Sequence, residues 1–165
     1  MDRKKHTQRG FSLIELLIVV AIIGIIAAIA VPKLLTAQQT AHETAAFVEV
    51  QTIGKNQIMY SLSSYGKGKF GSLEDLVAKG ISTGYQSGNL KGGYIFASTP
   101  INVEGLRPMF DTTAKPSSTG TFGSGNRSYY TNETLGNTVY EADGGEPPSA
   151  TPQDRLPKNG QPRND

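Results

Sequence analysis

Hydrophobic side chains are concentrated near one end of the chain, in a run long enough to cross a membrane. Residues 16–31 read LLIVVAIIGIIAAIAV and contain no charged or strongly polar side chain. Together with residues 11–15 the run covers about 21 residues, which as a helix span roughly 30 Å, the thickness of the hydrocarbon core of a bilayer. The pattern predicts a membrane-spanning helix with an unexpected acid, Glu15, near its start.

After Pro32 the pattern changes to that of an amphipathic helix that continues to about Leu62. Apolar and small residues recur there at spacings of three or four, which is helical periodicity. Two stripes result: a shallow one at Ala37, Ala41, Ala45, Val48 and Thr52, and a bulkier one at Phe47, Val50 and Ile58. We predict one helix from Phe11 to about Leu62, with the shallow stripe packed against other helices and the bulky stripe against a sheet.

The region after Leu62 has the pattern of a small mixed domain. Residues 72–80 (SLEDLVAKG) predict a short helix capped by Ser72 and Asp75 and closed by Lys79 and Gly80. Short β-branched and aromatic segments separated by Gly- and Pro-rich turns predict strands at residues 93–99, 109–113, 127–131 and 138–141. The expected fold class is α+β: a long amino-terminal helix packed on a small antiparallel sheet of three to four strands.

The last segment, from Gly144 onward, is rich in proline and has no aromatic residue. Such a composition buries too little apolar surface to order itself, so a flexible tail is expected. The predicted parts are a basic leader (1–10), a transmembrane and polymerisation helix (11–35), the outer half of the long helix (36–62), a globular head (63–143) and the tail (144–165).

Charge and composition narrow the possible chemistry. The first ten residues carry a net charge of about +3 and the whole chain +2, so the remainder is slightly acidic, which disfavours nucleic-acid binding. The chain has no cysteine and two histidines, too few for a convincing catalytic set, so no enzyme activity and no cofactor are predicted. Asp111, Glu141 and Asp143 are weak candidates for a calcium site.

Glu15 distinguishes three interpretations of the apolar run. A plain membrane anchor and a signal peptide cut after Ala28-Ile29-Ala30 both leave unexplained an acid that costs about 2.5–3.5 kcal/mol at a helix centre, though less near an end. Cleavage between Gly10 and Phe11 would instead keep the anchor and give Phe11 a free amine. Glu15 of one helix could then pair with the Phe11 amine of a neighbour and set the register of assembly.

The stretch RGFSLIELLIVVAIIGIIAAIAVPKLL resembles the amino-terminal signature of type IV prepilins and type II secretion pseudopilins, over about residues 9–60. The resemblance implies cleavage after Gly10 by a prepilin peptidase, N-methylation of Phe11 and a role for Glu15 in assembly. It also implies that the helix can kink or melt between Gly24 and Pro32 inside a filament.

The expected function is therefore that of a structural subunit of a type IV pilus-like filament. The resemblance implies a homopolymer of identical or related pilins, an inner-membrane assembly platform, and membrane lipid as the surroundings before assembly. By the positive-inside rule the leader is cytoplasmic and the head lies outside the inner membrane. A type II secretion pseudopilin is the alternative, and a secreted soluble binding module is less favoured.

Overall fold

The computed structural model describes residues 10–163, which form a long helix, a short helix and a single sheet. The chain divides into two compact units, Met1–Thr36 and Ala37–Asp165. Helix α1 (Leu13–Leu62) confirms the predicted continuous helix, and it is long and apolar enough to cross a membrane, judged by length and composition.

Pro32 lies inside α1, which continues through it. A proline has no N–H to donate, so the carbonyl group four residues earlier, that of Ala28, lacks its helical partner. Thr36 Oγ1 donates to the Pro32 carbonyl oxygen at 3.1 Å, a backbone-directed bond within the next turn. Gly24 and Pro32 are therefore two local weaknesses in an otherwise regular helix.

Helix α2 (Leu73–Ala78) begins and ends at the predicted residues. Ser72 accepts a hydrogen bond from the Asp75 N–H at 3.1 Å, and the Asp75 carboxylate accepts one from the Ser72 N–H at 2.9 Å. This reciprocal pair is a capping box. The helix ends at Lys79, followed by Gly80 with φ of 69°, a left-handed conformation that glycine adopts without a steric penalty.

The sheet is wholly antiparallel, and its spatial order follows the order of the chain. Its six strands outnumber the three to four predicted. The four predicted strands are present, and the two missed strands are the short ones at the edges. The strands are β1 (Leu90–Lys91), β2 (Tyr94–Ile101), β3 (Met109–Pro116), β4 (Arg127–Asn132), β5 (Val139–Asp143) and β6 (Gln161–Arg163).

The core of the second unit includes one face of α1 together with residues of α2 and the sheet. The buried cluster contains Ala46, Phe47, Val50, Ile53, Leu73, Leu76, Tyr94, Phe96, Ala114, Tyr129 and Val139. The Phe47 and Tyr129 rings meet edge to face, with centroids 6.1 Å apart. A Cβ on Gly54 would lie 3.2 Å from the Thr131 side chain, so this helical glycine lets α1 and β4 approach closely.

The predicted bulky stripe is correct at Phe47 and Val50 and wrong at Ile58, which is exposed. Gln57 is buried instead. Its amide nitrogen donates to the Gly71 carbonyl at 2.6 Å and to Ser98 Oγ at 2.7 Å, and its amide oxygen accepts from the Gly71 N–H. A fully hydrogen-bonded amide can be buried at little cost.

The expectation of a flexible tail from residue 144 is also wrong for the residues that the structure describes. Residues 144–163 return across the sheet and end in β6, which pairs with β5. We call residues 144–163 the carboxy-terminal segment. Arg155 in its middle is 6% exposed. The segment is held by the ion pairs of Arg155 and by the pairing of β6 with β5, and its amino-acid composition indicates neither contact.

Candidate functional site: the start of the apolar helix and the Arg155 cluster

Helix α1 begins with a side chain that caps its own first turn. Ser12 immediately precedes the helix, and its N–H donates to Glu15 Oε2 at 2.9 Å. The Leu16 N–H donates to the Ser12 carbonyl oxygen at 3.3 Å. Glu15 thus occupies the third helical position, where a carboxylate satisfies a free backbone donor and complements the positive end of the helix dipole.

The hydrogen bond from the Ser12 N–H to Glu15 was not predicted from the sequence, although the signal was there. Residues 12–15 read SLIE, the S-x-x-E spacing of a capping box, directly before an apolar run. The cap and the predicted contact between subunits are compatible, because a carboxylate has about four lone-pair sites and the Ser12 N–H uses one of them.

The predicted cleavage point lies outside the helix. Gly10 and Phe11 precede the first helical residue, and both are exposed. A bond in non-helical, exposed backbone can enter the active site of a peptidase without helix unwinding. The rest of the predicted leader, residues 1–9, lies outside the described residues. Proximity of Glu15 to the Phe11 amine of another chain remains a prediction.

No apolar side chain of residues 10–36, the described part of the first unit, is fully buried. Exposed fractions of the large apolar side chains between Leu13 and Val31 range from 46% to 75%, and no part of the most hydrophobic window is buried. Apart from the neighbouring residues and the backbone of the helix itself, no atom lies within 4 Å of a Cβ built on Gly24. A continuous apolar surface of this kind far exceeds the patches tolerated on soluble monomers, so it needs lipid or other protein around it.

A second polar centre, the Arg155 cluster, joins the carboxy-terminal segment to the sheet. It consists of Arg155, Asp111, Glu133, Tyr130 and Asn132. Arg155 Nη2 lies 2.7 Å from Asp111 Oδ1 and 2.9 Å from Glu133 Oε2, and Arg155 Nε donates to Glu133 Oε1 at 2.9 Å. The contact with Glu133 is bidentate, the arrangement that a planar guanidinium favours.

Further hydrogen bonds orient the members of the cluster. Asn132 Nδ2 donates to the Arg155 carbonyl oxygen at 2.8 Å and to the Tyr130 hydroxyl at 3.0 Å, and that hydroxyl donates to Asp111 at 2.5 Å.

Burial raises the pKa of Tyr130 well above its usual value, and the bond to Asp111 raises it further. Burial alone would lower the pKa of Arg155, but hydrogen bonds to Glu133 and Asp111 outweigh that effect and raise it. Arg155 is therefore a permanent cation that forms ion pairs with two carboxylates.

The weak calcium candidates are not brought together. Asp111 forms an ion pair with Arg155. Glu141 lies two strands away, and its Oε2 is 3.6 Å from Arg127 Nη1 and 3.5 Å from Arg163 Nη1. Asp143 is the register partner of Arg127. Within residues 10–163 no three His, Cys, Asp or Glu side chains are grouped so as to hold a metal ion.

Comparisons with known proteins point to the same end of the chain. Residues 5–31 match the family model described as the prokaryotic N-terminal methylation motif. The chain is 45% identical over 56 residues to a type IV wide pilus major component, PilA4, of Thermus thermophilus, covering 34% of this chain and 43% of the relative.

A second similarity reaches further along the chain. The chain is 32% identical over 93 residues to the type II secretion system core protein G of Pseudomonas aeruginosa, covering 56% of this chain and 66% of that protein. Each aligned region covers less than two thirds of the relative's length. No solved structure matches the chain significantly.

The methylation motif and both relatives agree with the capped apolar helix and the α+β head described above. The chain therefore carries the N-terminal methylation motif and is similar to type IV pilins and type II secretion pseudopilins.

Proposed function

We propose that this chain is a structural subunit of a type IV pilus-like filament. It is made as a membrane-anchored precursor, cut between Gly10 and Phe11 by a prepilin peptidase, and methylated on the Phe11 amine. The observation that carries the proposal is the exposed apolar surface of residues 13–31 in α1, with a carboxylate at the first turn of the helix. The family's known role is structural, and we assign no catalytic step to this chain.

Assembly then consists of exchanging lipid for neighbouring helices. Lipid tails are as apolar as the side chains of α1, so the exchange gains little from hydrophobic burial and depends on close packing and on polar contacts between helices. A carboxylate that enters an apolar bundle unpaired is strongly unfavourable. The Phe11 amine of a neighbour provides the missing partner, so the Glu15 pair selects the axial register of the helices.

Gly24 and Pro32 have a separate role in this proposal. The segment between them has a glycine at one end, and Pro32 at the other end leaves the Ala28 carbonyl without a helical donor. Unwinding there costs less than elsewhere in α1. We infer that this segment can melt when the subunit enters the filament, which would give the polymer extensibility.

The proposed partners are the prepilin peptidase, the inner-membrane assembly platform, lipid, and identical or related subunits. The basic residues before Phe11 support an orientation with the leader on the cytoplasmic side and the head outside the inner membrane. After assembly the subunit belongs to the pilus or pseudopilus.

A strain that lacks the prepilin peptidase tests the proposal. We expect the chain to be found in the sheared filament fraction of the native host, and to remain unprocessed in the membrane fraction when the peptidase gene is deleted. Immunoblots of the two fractions measure both outcomes. A processed or soluble chain in the deletion strain would contradict the proposal.

A type II secretion pseudopilin is the second candidate, favoured by the longer alignment with core protein G, which extends beyond the methylation motif into the head. Deleting the gene for this chain separates the two candidates. Loss of surface pili, with the related motility, adhesion or DNA uptake, indicates a pilin. Retention of exoproteins in the periplasm, with surface pili unchanged, indicates a pseudopilin.

A further inference from the structure

Phe122 is 85% exposed, the highest exposure among the large apolar side chains of residues 10–163. It lies in the connection between β3 and β4, residues 117–126, here called the β3–β4 loop. The loop reads SSTGTFGSGN and contains no charged residue and no other large apolar one. Covering the ring with another surface would therefore bury apolar area without removing water from a charged group of the loop.

The tip of this loop is ordered. The Gly123 N–H donates to the Gly120 carbonyl oxygen at 2.9 Å and closes a turn around Phe122. Gln39 Nε2, from α1, donates to the carbonyl oxygens of Gly120 and Gly123, at 2.6 and 3.1 Å. An ordered loop loses little conformational entropy when it binds, so Phe122 is suited to entering a preformed cavity.

Such a cavity, of about 380 Å³, lies at the connection between β2 and β3 (residues 102–108) and is here called the β2–β3 cavity. Val103 and Leu106 line it and are about half exposed, and Pro108 adds a third apolar side chain. The Leu106 N–H donates to the Val103 carbonyl oxygen at 3.2 Å, so this loop also contains an ordered turn. A cavity of about 150 Å³ is enough to hold benzene, and the β2–β3 cavity therefore has room for a phenyl ring.

The cavity and Phe122 lie at opposite ends of β3, because one loop precedes this strand and the other follows it. Helix α1 shows the same separation. Gln39 contacts the β3–β4 loop, whereas Gln57 donates to the carbonyl oxygen of Gly71. The carbonyl oxygen of the neighbouring Phe70 accepts from Asn102 of the cavity loop at 3.0 Å. At 1.5 Å of rise per residue, the helix from Gln39 to Gln57 is about 27 Å long, so a chain cannot fill its own cavity.

The two ends of β3 also differ in charge. The Gly144 N–H donates to the Asn126 carbonyl oxygen at 2.6 Å, which places residues 143–146 beside the β3–β4 loop. The exposed charged side chains that adjoin this loop are those of Lys115, Asp143 and Glu146. Those in residues 63–71 and 102–108, around the cavity, are Lys67, Lys69, Glu104 and Arg107. Acids therefore outnumber bases at one end and bases outnumber acids at the other, which favours contact between unlike ends.

We propose that Phe122 of one subunit inserts into the β2–β3 cavity of a second copy of this chain. Because the two surfaces are different, the contact is heterologous, and it can repeat from subunit to subunit instead of ending at a pair. Lys69, which lines the cavity, suits the face of the inserted ring. The inference rests on the proposed filament function and adds a contact between heads to the packing of α1.

The absence of cysteine allows a direct test by disulfide cross-linking in filaments sheared from the native host. The test pair is Thr121→Cys, beside Phe122, with Glu104→Cys at the cavity. Within one chain these positions lie at opposite ends of β3, far beyond the Cα separation of about 7 Å that a disulfide allows, so any disulfide joins two chains. One control replaces Glu104→Cys by Ser87→Cys, at an exposed residue before β1, and the other adds Phe122→Ala to the test pair.

We expect oxidised filaments of the test pair to give a ladder of dimers and longer multimers on a non-reducing denaturing gel, and both controls to lose it. Filaments that give only monomers, or dimers without longer multimers, overturn the inference but not the filament function. A ladder that persists with Phe122→Ala also overturns the inference, because the ring would then not be needed.

Single-cysteine variants provide a second readout that does not require the test pair to assemble. The cysteine at position 104 should react with maleimide in detergent and be protected in filaments, whereas the one at position 87 should react in both. Equal reactivity of position 104 in the two states overturns the inference. Absence of the cysteine-free chain from the filament fraction overturns the proposed function and this inference together.

Discussion

Replacing Glu15 by alanine is expected to leave cleavage after Gly10 intact and to reduce incorporation into filaments by about tenfold or more. Cleavage survives because Gly10 and Phe11 lie outside α1, and the substitution removes only the hydrogen bond to the Ser12 N–H. Assembly fails because the Phe11 amine of a neighbour would be buried without its partner. Breaking a buried ion pair costs about 3–5 kcal/mol, more than the 1.4 kcal/mol that corresponds to tenfold.

Glu15→Gln is the matched control for the two roles of this residue. Its amide oxygen can still accept from the Ser12 N–H, so the helix cap is retained while the negative charge is lost. If the charge selects register, Glu15→Gln assembles as poorly as Glu15→Ala, measured as the ratio of processed chain in the filament and membrane fractions. Normal assembly of Glu15→Gln would show that the cap, not the charge, is what matters. Normal assembly of Glu15→Ala would show that assembly needs neither the helix cap nor the charge of Glu15.

Replacing Arg155 by alanine is expected to destabilise the head by about 3–5 kcal/mol, because it leaves two carboxylates without their cation. The Glu133 and Arg155 side chains are 9% and 5% exposed, so water can replace little of what is lost. We expect a fall in the melting temperature of roughly 10 °C or more, measured by thermal unfolding of the full chain in detergent. Hydrogen exchange should increase first in residues 144–163.

Arg107→Ala and Arg155→Lys are the controls for this experiment. Arg107 is exposed, and its loss should change the free energy of unfolding by no more than about 0.5 kcal/mol. Lysine at position 155 keeps the charge but lacks the planar fork that contacts Glu133 twice, so an intermediate loss is expected. Equal melting temperatures for Arg155→Ala and Arg107→Ala would mean that the Arg155 cluster does not hold the carboxy-terminal segment.

The parts of the fold that sequence indicates reliably are those determined by local pattern. The apolar run, the helical periodicity, and the capping box formed by Ser72 and Asp75 all depend on residues a few positions apart, and each is confirmed. The family is likewise indicated by one short stretch around Gly10 and Glu15.

The missed parts depend on contacts between distant residues. Arg155 contacts Asp111 and Glu133, which lie 44 and 22 residues earlier in the chain. No pattern within the carboxy-terminal segment itself therefore indicates that it is ordered or that it contains β6. Gln57 is buried because Gly71 and Ser98 satisfy its amide. Periodicity predicts that a helix has two faces, but the partners of each face decide where the boundary between them lies.

The same reasoning explains what could be predicted of the candidate site. Glu15 stands out in the sequence because an acid is unexpected in an apolar run, and the spacing of SLIE also indicates its hydrogen bond with Ser12 at the helix start. Residue type alone suggests the calcium candidates. The ion pairs of Asp111 with Arg155, and of Glu141 with Arg127 and Arg163, become visible only when the strands are placed side by side.

The mass of the mature amino-terminal peptide tests the central claim most directly. Chain recovered from the sheared filament fraction should begin at Phe11, carry one methyl group on its amine and retain the whole apolar run. A chain that begins at Val31 would show that the run is a signal peptide, and an unprocessed amino terminus would show that it is a plain anchor. Either result would contradict assembly through a processed helix.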